Sequence, residues 1–445
     1  MAKNSIDFER AFAVIKTKRP GLNELFSYVN GPQPLKYSST KIRDAFREIT
    51  AHFEINWCSV VVDTSLDRLE LNGFDLGKDQ KAANDVLSDV FDDLHIDLEA
   101  DKAHEAALST EFAYIMVWKN DEGEIELSYN DPRLAHVFYE PSNPRKKSYA
   151  AKWFRRADRK HEIVLYYKDR LEHYVSRSEK TTIEKPNNFI LESTEDNTYG
   201  VIPVFELKTR GEIVKVLSIQ DAINKTFADM MVAAEFGAFV QRYVITNSDP
   251  GNLKNSPGEI WWIPAGDGMG QQSSVGQFAT TDLKNYLDAM NELASDMAII
   301  TRTPKHYLMN TGSNLSGEAL LAMEAPLVKK VDKHKNRFDA SWQDIAQFIL
   351  QLGGIEVKAS KIAIVWAPVE SLQPKTQAET RQISFNTGIP LITMLRREGW
   401  SEGEIDKLKE DIADEKVNNK TLAQGILDRL RVKDEQSPDG AESEQ

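Results

Sequence analysis

The chain has 445 residues, 41% of them hydrophobic and 28% charged, enough for one or more ordinary cores and for roughly two to four domains. A formal charge of −14 argues against a simple sequence-reading nucleic-acid binder, because such proteins concentrate Lys and Arg to displace counterions from phosphates. The single cysteine, Cys58, excludes an internal disulfide and fits a reducing compartment.

The first twenty residues carry charges through their apolar positions and lack the uninterrupted apolar core of a secretory signal. No later segment reaches the ~18 uncharged apolar residues that span a bilayer, so the expectation is a soluble chain without a membrane partner. Residues 21–56 read as helical, with Ile42, Phe46 and Ile49 at helical spacing. The run 55–74, INWCSVVVDTSLDRLELNGF, alternates and ends in Asn72 and Gly73, which predicts a helix end, a strand and a turn. A helical pair follows at 78–94, with Ala82, Val86, Val90 and Leu94 four apart, and at 98–110.

The period then shifts to two. Runs at 112–118, 125–129, 136–139, 149–154 and 163–167 are β-prone and separated by turn residues, which predicts an antiparallel sheet. ESTEDNTYG at 192–200 is polar and reads as an exposed loop before VIPVFEL. Residues 213–244 contain no Pro and predict one helix of about 45 Å. Residues 246–281 are rich in Gly, Ser, Asn and Pro around EIWWIPA, a compact excursion with one or two strands between two antiparallel helices. The returning helix covers 283–300, with Leu283, Leu287, Met290, Leu293, Met297 and Ile300 along one face.

A short polar segment, TPKHYLMNTGSNLSG, next hands over to a long charged amphipathic helix interrupted by Pro326 and ending near 352. KIAIVW at 361–366 is a further strand, available to the earlier sheet. Helices are predicted at 374–385, 390–398, 401–414 (Ser401 and Glu404 at capping-box spacing) and 419–430. An acidic polar tail expected to be disordered closes the chain.

Chemistry-bearing motifs are scarce. There is no GxxxxGK[ST], and GDGMGQQSSVG lacks the strand-to-helix context of a phosphate loop, so it reads as a turn-rich insertion. His95 and His104 lack paired-ligand spacing. Asp92, Asp93, Asp97 and Asp101 lack the Gly and Glu of a calcium loop. Glu122 and Glu124 read as solvent-facing turn charges, and the groups Arg155, Arg156, Arg159, Lys160 and Lys329, Lys330, Lys333, Lys335 as solvated faces. Trp261 and Trp262 point to opposite sides of a strand, so either both pack inside the insertion or one meets a partner. Lys305, His306, Asn310, Thr311, Ser313 and Asn314 lie in a polar loop between long helices, which is either a plain connector or a functional hinge. Two long helices joined by such a loop make a lever and not a catalytic pocket; no catalytic residue, metal ligand set or cofactor is expected.

The order of NWCSVVVDTSLDRLELNGF, YGVIPVFEL, SIQDAINKTFADMMVAAEFGAFVQRYV, SGEALLAMEAPLVKKV and VWAPVESLQPKTQAE resembles the portal proteins of tailed bacteriophages, in particular long-tailed siphophages, over 43–411. The resemblance implies an α+β fold with a mixed wing (1–212, plus the 361–366 strand). It implies a long-helix stem (213–244 and 282–302) with a small β-containing clip (245–281), a tunnel loop (303–315), and a channel helix kinked at Pro326 (within 316–373). A helical crown (374–431) and the tail (432–445) would follow. It implies a non-enzymatic homo-oligomer ring, typically of twelve subunits, at one vertex of the capsid. Double-stranded DNA would pass through it without sequence reading. Terminase large subunit, a head–tail adaptor, and major capsid and scaffold proteins would be its partners. Assembly would take place in the host cytoplasm and the product would reside in the virion. Under that resemblance the six loop residues named above face DNA, and Trp261 and Trp262 dock partners at the clip. An acidic bore suits sliding, since every phosphate held by a cation must be released at each step. The rival readings are a metal-dependent nucleic-acid-processing enzyme of the virion, using acids of the β-rich region, and an oligomeric scaffold with no DNA role.

Overall fold

A helix not anticipated from the sequence opens the chain. In the computed structural model, which describes residues 5–31, 33, 55–120, 122–179, 184–238, 242–245, 274–279, 282–309, 317–369, 382–384, 386–397, 405 and 407–413, helix α1 spans Ile6–Asn30. Ser5 caps it by accepting a hydrogen bond from the Phe8 amide, and Phe8, Ala11, Phe12 and Ile15 form its buried face. The charges that exclude a secretory core lie between these apolar positions, as expected of an amphipathic surface helix. Of the predicted 21–56 helix, 21–30 lies inside α1; the described residues 31, 33, 55 and 56 are not helical, and Ile42, Phe46 and Ile49 lie outside the described residues.

The run SVVVDTSL is helical, within α2 (Trp57–Leu66), and Cys58, Val61 and Val62 are fully buried there. Packing overrides the strand preference of β-branched residues. Asn72 and Gly73 fall inside strand β1 (Leu71–Asp75) and not in a turn. Helices α3 (Lys81–Asp93) and α4 (Ile96–Thr110) match the predicted pair, although α3 buries Ala83 and Leu87 and leaves Ala82 exposed.

The β-rich region forms two sheets. One has the order β3-β2-β9, from β2 (Phe112–Lys119), β3 (Ile125–Asn130) and β9 (Val204–Lys208). The other is the meander β4 (Ala135–Glu140), β5 (Asn143–Arg155), β6 (His161–Tyr166), β7 (Arg170–Ser176) and β8 (Phe189–Asp196). Strand β8 corrects the loop predicted at 192–200: an edge strand needs backbone pairing on one side only, so its largely exposed polar side chains do not prevent it from pairing with β7. Helix α1 covers one face of the meander. There Phe8 stacks on Tyr174 with centroids 4.1 Å apart, and Phe12 stacks on Trp153 at 5.2 Å. On the opposite face, Val137 and Ala150 meet Tyr114 and Met116 of β2 and Val204 of β9. Helix α4 packs on the other side of β2, its small residues Ala100, Ala103 and Ala107 buried.

Next comes α5 (Leu217–Ala238), shorter than the predicted 213–244 helix, because Arg242–Ile245 is strand β10, paired antiparallel with β11 (Ser274–Gln277). Helix α6 (Lys284–Thr301) returns along α5. A single turn, α7 (Lys305–Leu308), precedes α8 (Gly317–Leu352), about 54 Å of helix running through an exposed Pro326. The second half of α8 packs on β9 and β2. Trp342 is fully buried there and donates to His104 Nε2 at 3.0 Å, while His104 stacks on Phe338. Strand β12 (Ala363–Trp366) forms a two-stranded sheet with β1 instead of joining the meander.

The chain divides into two units between Ile364 and Val365. In the second, α9 (Leu391–Arg397) begins directly after Pro390, as predicted, and Met394, Leu395 and Ile405 are buried. The predicted segments 374–381, 401–404 and 419–430, and the tail, lie outside the described residues.

Candidate functional site

The two helices that flank the excursion are covered unevenly along their length. On α5, Gln220, Asp221, Ile223, Asn224 and Ala228 are buried, and beyond Ala228 no described residue of the helix is. On α6 the predicted stripe is buried at Met290 and Met297, with Ala294 and Ala298 beside them. Leu283 and Leu287, on the same stripe, are exposed, as is Ile300. The pair therefore rises out of the body of the chain, with the β10-β11 ribbon at its far end and the root held inside.

Buried amides hold that root. Gln220 accepts the Trp57 amide at 3.1 Å and donates to Asn224, which donates to Gln33 at 2.8 Å; Tyr28 donates to Asp221. Backbone groups of α2 and side chains from the end of α1 thus fix the first turns of α5. Such a network is satisfied in one register only. Burial and the nearby Asp221 charge push the Cys58 thiol up to about 12, so the one cysteine is inert.

A second knot joins the C-terminal end of α6, the middle of α8 and the segment that leads into α5. Lys330 Nζ donates to Glu212 Oε2 and to the Thr301 carbonyl, both at 2.9 Å, and so caps the C-terminus of α6. His334 Nε2 lies 2.7 Å from the other Glu212 oxygen, and its Nδ1 contacts Thr209. Burial alone would raise the Glu212 carboxyl. The His334 hydrogen bond and the Lys330 charge outweigh it and hold the group below its ordinary value. Lys330 and Lys335 are buried, which corrects the expectation that their cluster is a solvated face; Lys329 and Lys333 remain exposed. Arg156 fits the other expectation, lying among Asp158, Glu162 and Glu192.

The predicted polar loop starts as structure. Arg302 adopts left-handed backbone (φ 57°) after α6, Thr303 is buried, and α7 follows. Lys305 is exposed and His306 half-buried on α7, whereas Asn310, Thr311, Ser313 and Asn314 lie outside the described residues, as do Trp261 and Trp262. A clamp that sequence reasoning missed fixes both ends of the loop. Arg68 donates to Tyr307 Oη at 3.1 Å, Tyr307 donates to Glu324 at 3.1 Å, and Arg68 lies 3.6 Å from Glu324. These residues are far apart in sequence, and nothing local marks Arg68 or Glu324.

Among the described residues no three His, Cys, Asp or Glu side chains are grouped to hold a metal ion, Asp92, Asp93, Asp97 and Asp101 included, and no helix is long and apolar enough to cross a membrane. Glu122 and Glu124 are exposed at the β2-β3 turn, as read from the sequence.

Residues 11–417 match the family model for phage portal proteins of the SPP1 Gp6-like type. Over 235 residues the chain is 24% identical to the portal protein of Mycobacterium phage L5, covering 47% of this chain and 48% of that protein. A 145-residue match to the portal protein of Mycobacterium phage D29 is also 24% identical and covers 31% and 30%. The chain thus spans about half, or less, of the length of the curated relatives it matches. Among solved structures it is similar to a chain from the neck of an empty GTA particle computed with C6 symmetry. That match has a TM-score of 0.45 and 10% identity, and covers 82% of this chain and 93% of the other. With the family model spanning most of its length, the chain belongs to the phage portal protein family of the SPP1 Gp6-like type, structural and non-enzymatic proteins of the phage virion.

Proposed function

We propose that the chain assembles into a ring, of twelve copies in the particle, at one capsid vertex, and that double-stranded DNA passes through its bore during packaging and ejection. In this reading the stem is 213–244 with 282–302 and contains α5 and α6, the clip is 245–281, the meander with α1 belongs to the wing, and the crown is 374–431 and contains α9. The segment from Thr303 to residue 315 is the tunnel loop, with Lys305, His306, Asn310, Thr311, Ser313 and Asn314 touching the DNA backbone without reading bases. Pro326 marks the bend of the channel helix, and Trp261 and Trp262 offer a docking surface to the terminase large subunit and later to a head–tail adaptor. Capsid and scaffold proteins contact the ring during assembly.

The observation that carries this reading is the projecting helical pair, whose apolar stripe is uncovered at Leu283 and Leu287, and whose ribbon adds Tyr243, Ile245 and Phe278 on one face, all exposed in a single copy. A ring closes through two different faces of each subunit, and an uncovered stripe along a rod supplies one of them. Negative-stain imaging of the purified protein tests the reading: annuli with an open bore are expected. Compact globules without a bore, at concentrations where the protein is oligomeric, would overturn it.

A further inference from the structure

We propose that the junction of α6 and α8 carries a binding pocket for a phosphate-bearing anion of diphosphate size. The cavity encloses about 210 Å³ between the segment that leads into α5, the last turn of α6 and the middle of α8. Its rim carries Arg210, Lys215, Arg302, Lys333 and Arg337, all exposed, and its one acid is Glu212. Glu212 is already engaged by Lys330 and His334 on the floor. Among the described residues no carboxylate lies within ion-pair distance of any of the five rim cations. Arg337 makes one long hydrogen bond, 3.4 Å, to the Thr209 hydroxyl.

Five like charges gathered around one cavity, in a chain whose net charge is −14, are mutually repulsive. Two of them, Lys333 and Arg337, stand four apart on α8, a spacing at which like charges oppose the helix. Arg302 is held at the mouth by a left-handed backbone that an arginine rarely adopts. A single carboxylate would leave most of this charge uncompensated, whereas a polyanion with tetrahedral oxygens matches both the charge and the forked donors of three arginines. The volume is ample for two linked phosphoryl groups. The phosphate groups could belong to a free polyphosphate or nucleotide, or to a strand of DNA presenting its backbone at the mouth.

Calorimetric titration of the full-length protein at low ionic strength separates these sources, using sodium pyrophosphate, ATP and a short DNA duplex against the wild type, Arg302→Gln/Lys333→Gln and, as a control, Arg156→Gln outside the pocket. Expected is pyrophosphate binding weakened at least tenfold in the double variant and unchanged in Arg156→Gln. Duplex binding weakened in the same selective way, without any pyrophosphate response, would also support the pocket and assign the anion to the DNA backbone. If neither ligand distinguishes the double variant from wild type, the proposal is wrong, and the rim charges then serve another copy's acids or nothing. Arg302 and Lys333 are exposed and have no ion-pair partner among the described residues, so the double variant is expected to fold, checked by an unfolding midpoint no lower than that of the wild type in ligand-free buffer.

Discussion

Replacing Lys330 with methionine keeps most of the aliphatic stem and removes the ammonium that joins α6, α8 and the segment before α5. Two acceptors lose their donor, Glu212 Oε2 and the Thr301 carbonyl, each 2.9 Å from Nζ in the native chain. The side chains of Lys330 and Glu212 are 11% and 6% exposed, so water compensates little. Removing one partner of a buried pair costs about 3–5 kcal/mol, much of it from the stranded charge. Lys330→Met is therefore expected to fall in that range at pH 7. In Lys330→Met/Glu212→Gln no charge is stranded, and its loss is expected to be about 2 kcal/mol smaller than the sum of the two single variants. Urea unfolding at one fixed protein concentration measures all four corners of the cycle, the concentration being held because ring formation would itself stabilise the folded chain. A single-variant loss below 1 kcal/mol, or strict additivity, would refute the view that this pair holds the junction.

Three further outcomes follow from the same geometry. Burial pushes His104 down to about 3, so its neutral form is the folded one; its contribution is fully present above pH 6.5 and is lost as pH falls toward 3. At pH 5 this amounts to about 2 kcal/mol, and His104→Gln should flatten the stability profile between pH 6.5 and 5 by that amount, read by urea unfolding; an unchanged slope would contradict the assignment. Arg68→Met should destabilise the loop clamp by about 2–3 kcal/mol and speed amide exchange at residues 305–309 and 319–325 while the meander strands keep their protection; uniform acceleration would point to global loosening instead. Trp261→Ala/Trp262→Ala should lower capture of the terminase large subunit in pull-downs while rings still form, and undiminished capture would remove the tryptophans from the docking surface.

Local pattern was legible wherever a segment settles its own structure. The strands from Phe112 to Tyr166 alternate and are punctuated by turns, and α4, α6 and α8 show helical spacing, so their types could be read directly. The misses share a physical cause. The β-branched run in α2 favours a strand locally and becomes helical because α1 and α4 pack against it. Polar β8 is held by its backbone ladder to β7, which side-chain composition does not encode. The α1 signal was present, a Ser cap followed by Phe8, Ala11, Phe12 and Ile15, but is overlooked when charged N-terminal residues are weighed only against a secretory signal. Contacts at the site are longer in range. Lys330 meets Glu212 across 118 residues and Arg68 meets Tyr307 across 239, so a lysine in a charged run gives no local sign that it is buried.

The distribution of order along the helical pair also constrains how a ring of such subunits could work. At its root, the amides around Gln220, the Lys330–Glu212 pair and the Arg68–Tyr307–Glu324 clamp fix three separate segments; the first two penalise displacement because Gln220, Asn224, Lys330 and Glu212 are buried, and the clamp does so through buried Arg68. At its far end, among the described residues, neither helix has a buried residue beyond Ala228 or before Met290. A rod that is rigidly rooted and laterally uncovered gives up little internal contact when its outer part shifts against a neighbouring copy, so adjustment to a partner of different symmetry would concentrate there. The loop that begins at Thr303 is tied to the rigid root through Tyr307 and Glu324, so movement of the outer part of the helical pair need not displace it. Force on the loop, by contrast, would pass through Tyr307 and Glu324 into Arg68, just after α2, which makes the clamp, and not the outer part of the helical pair, the element whose loss should uncouple the loop from the body of the chain.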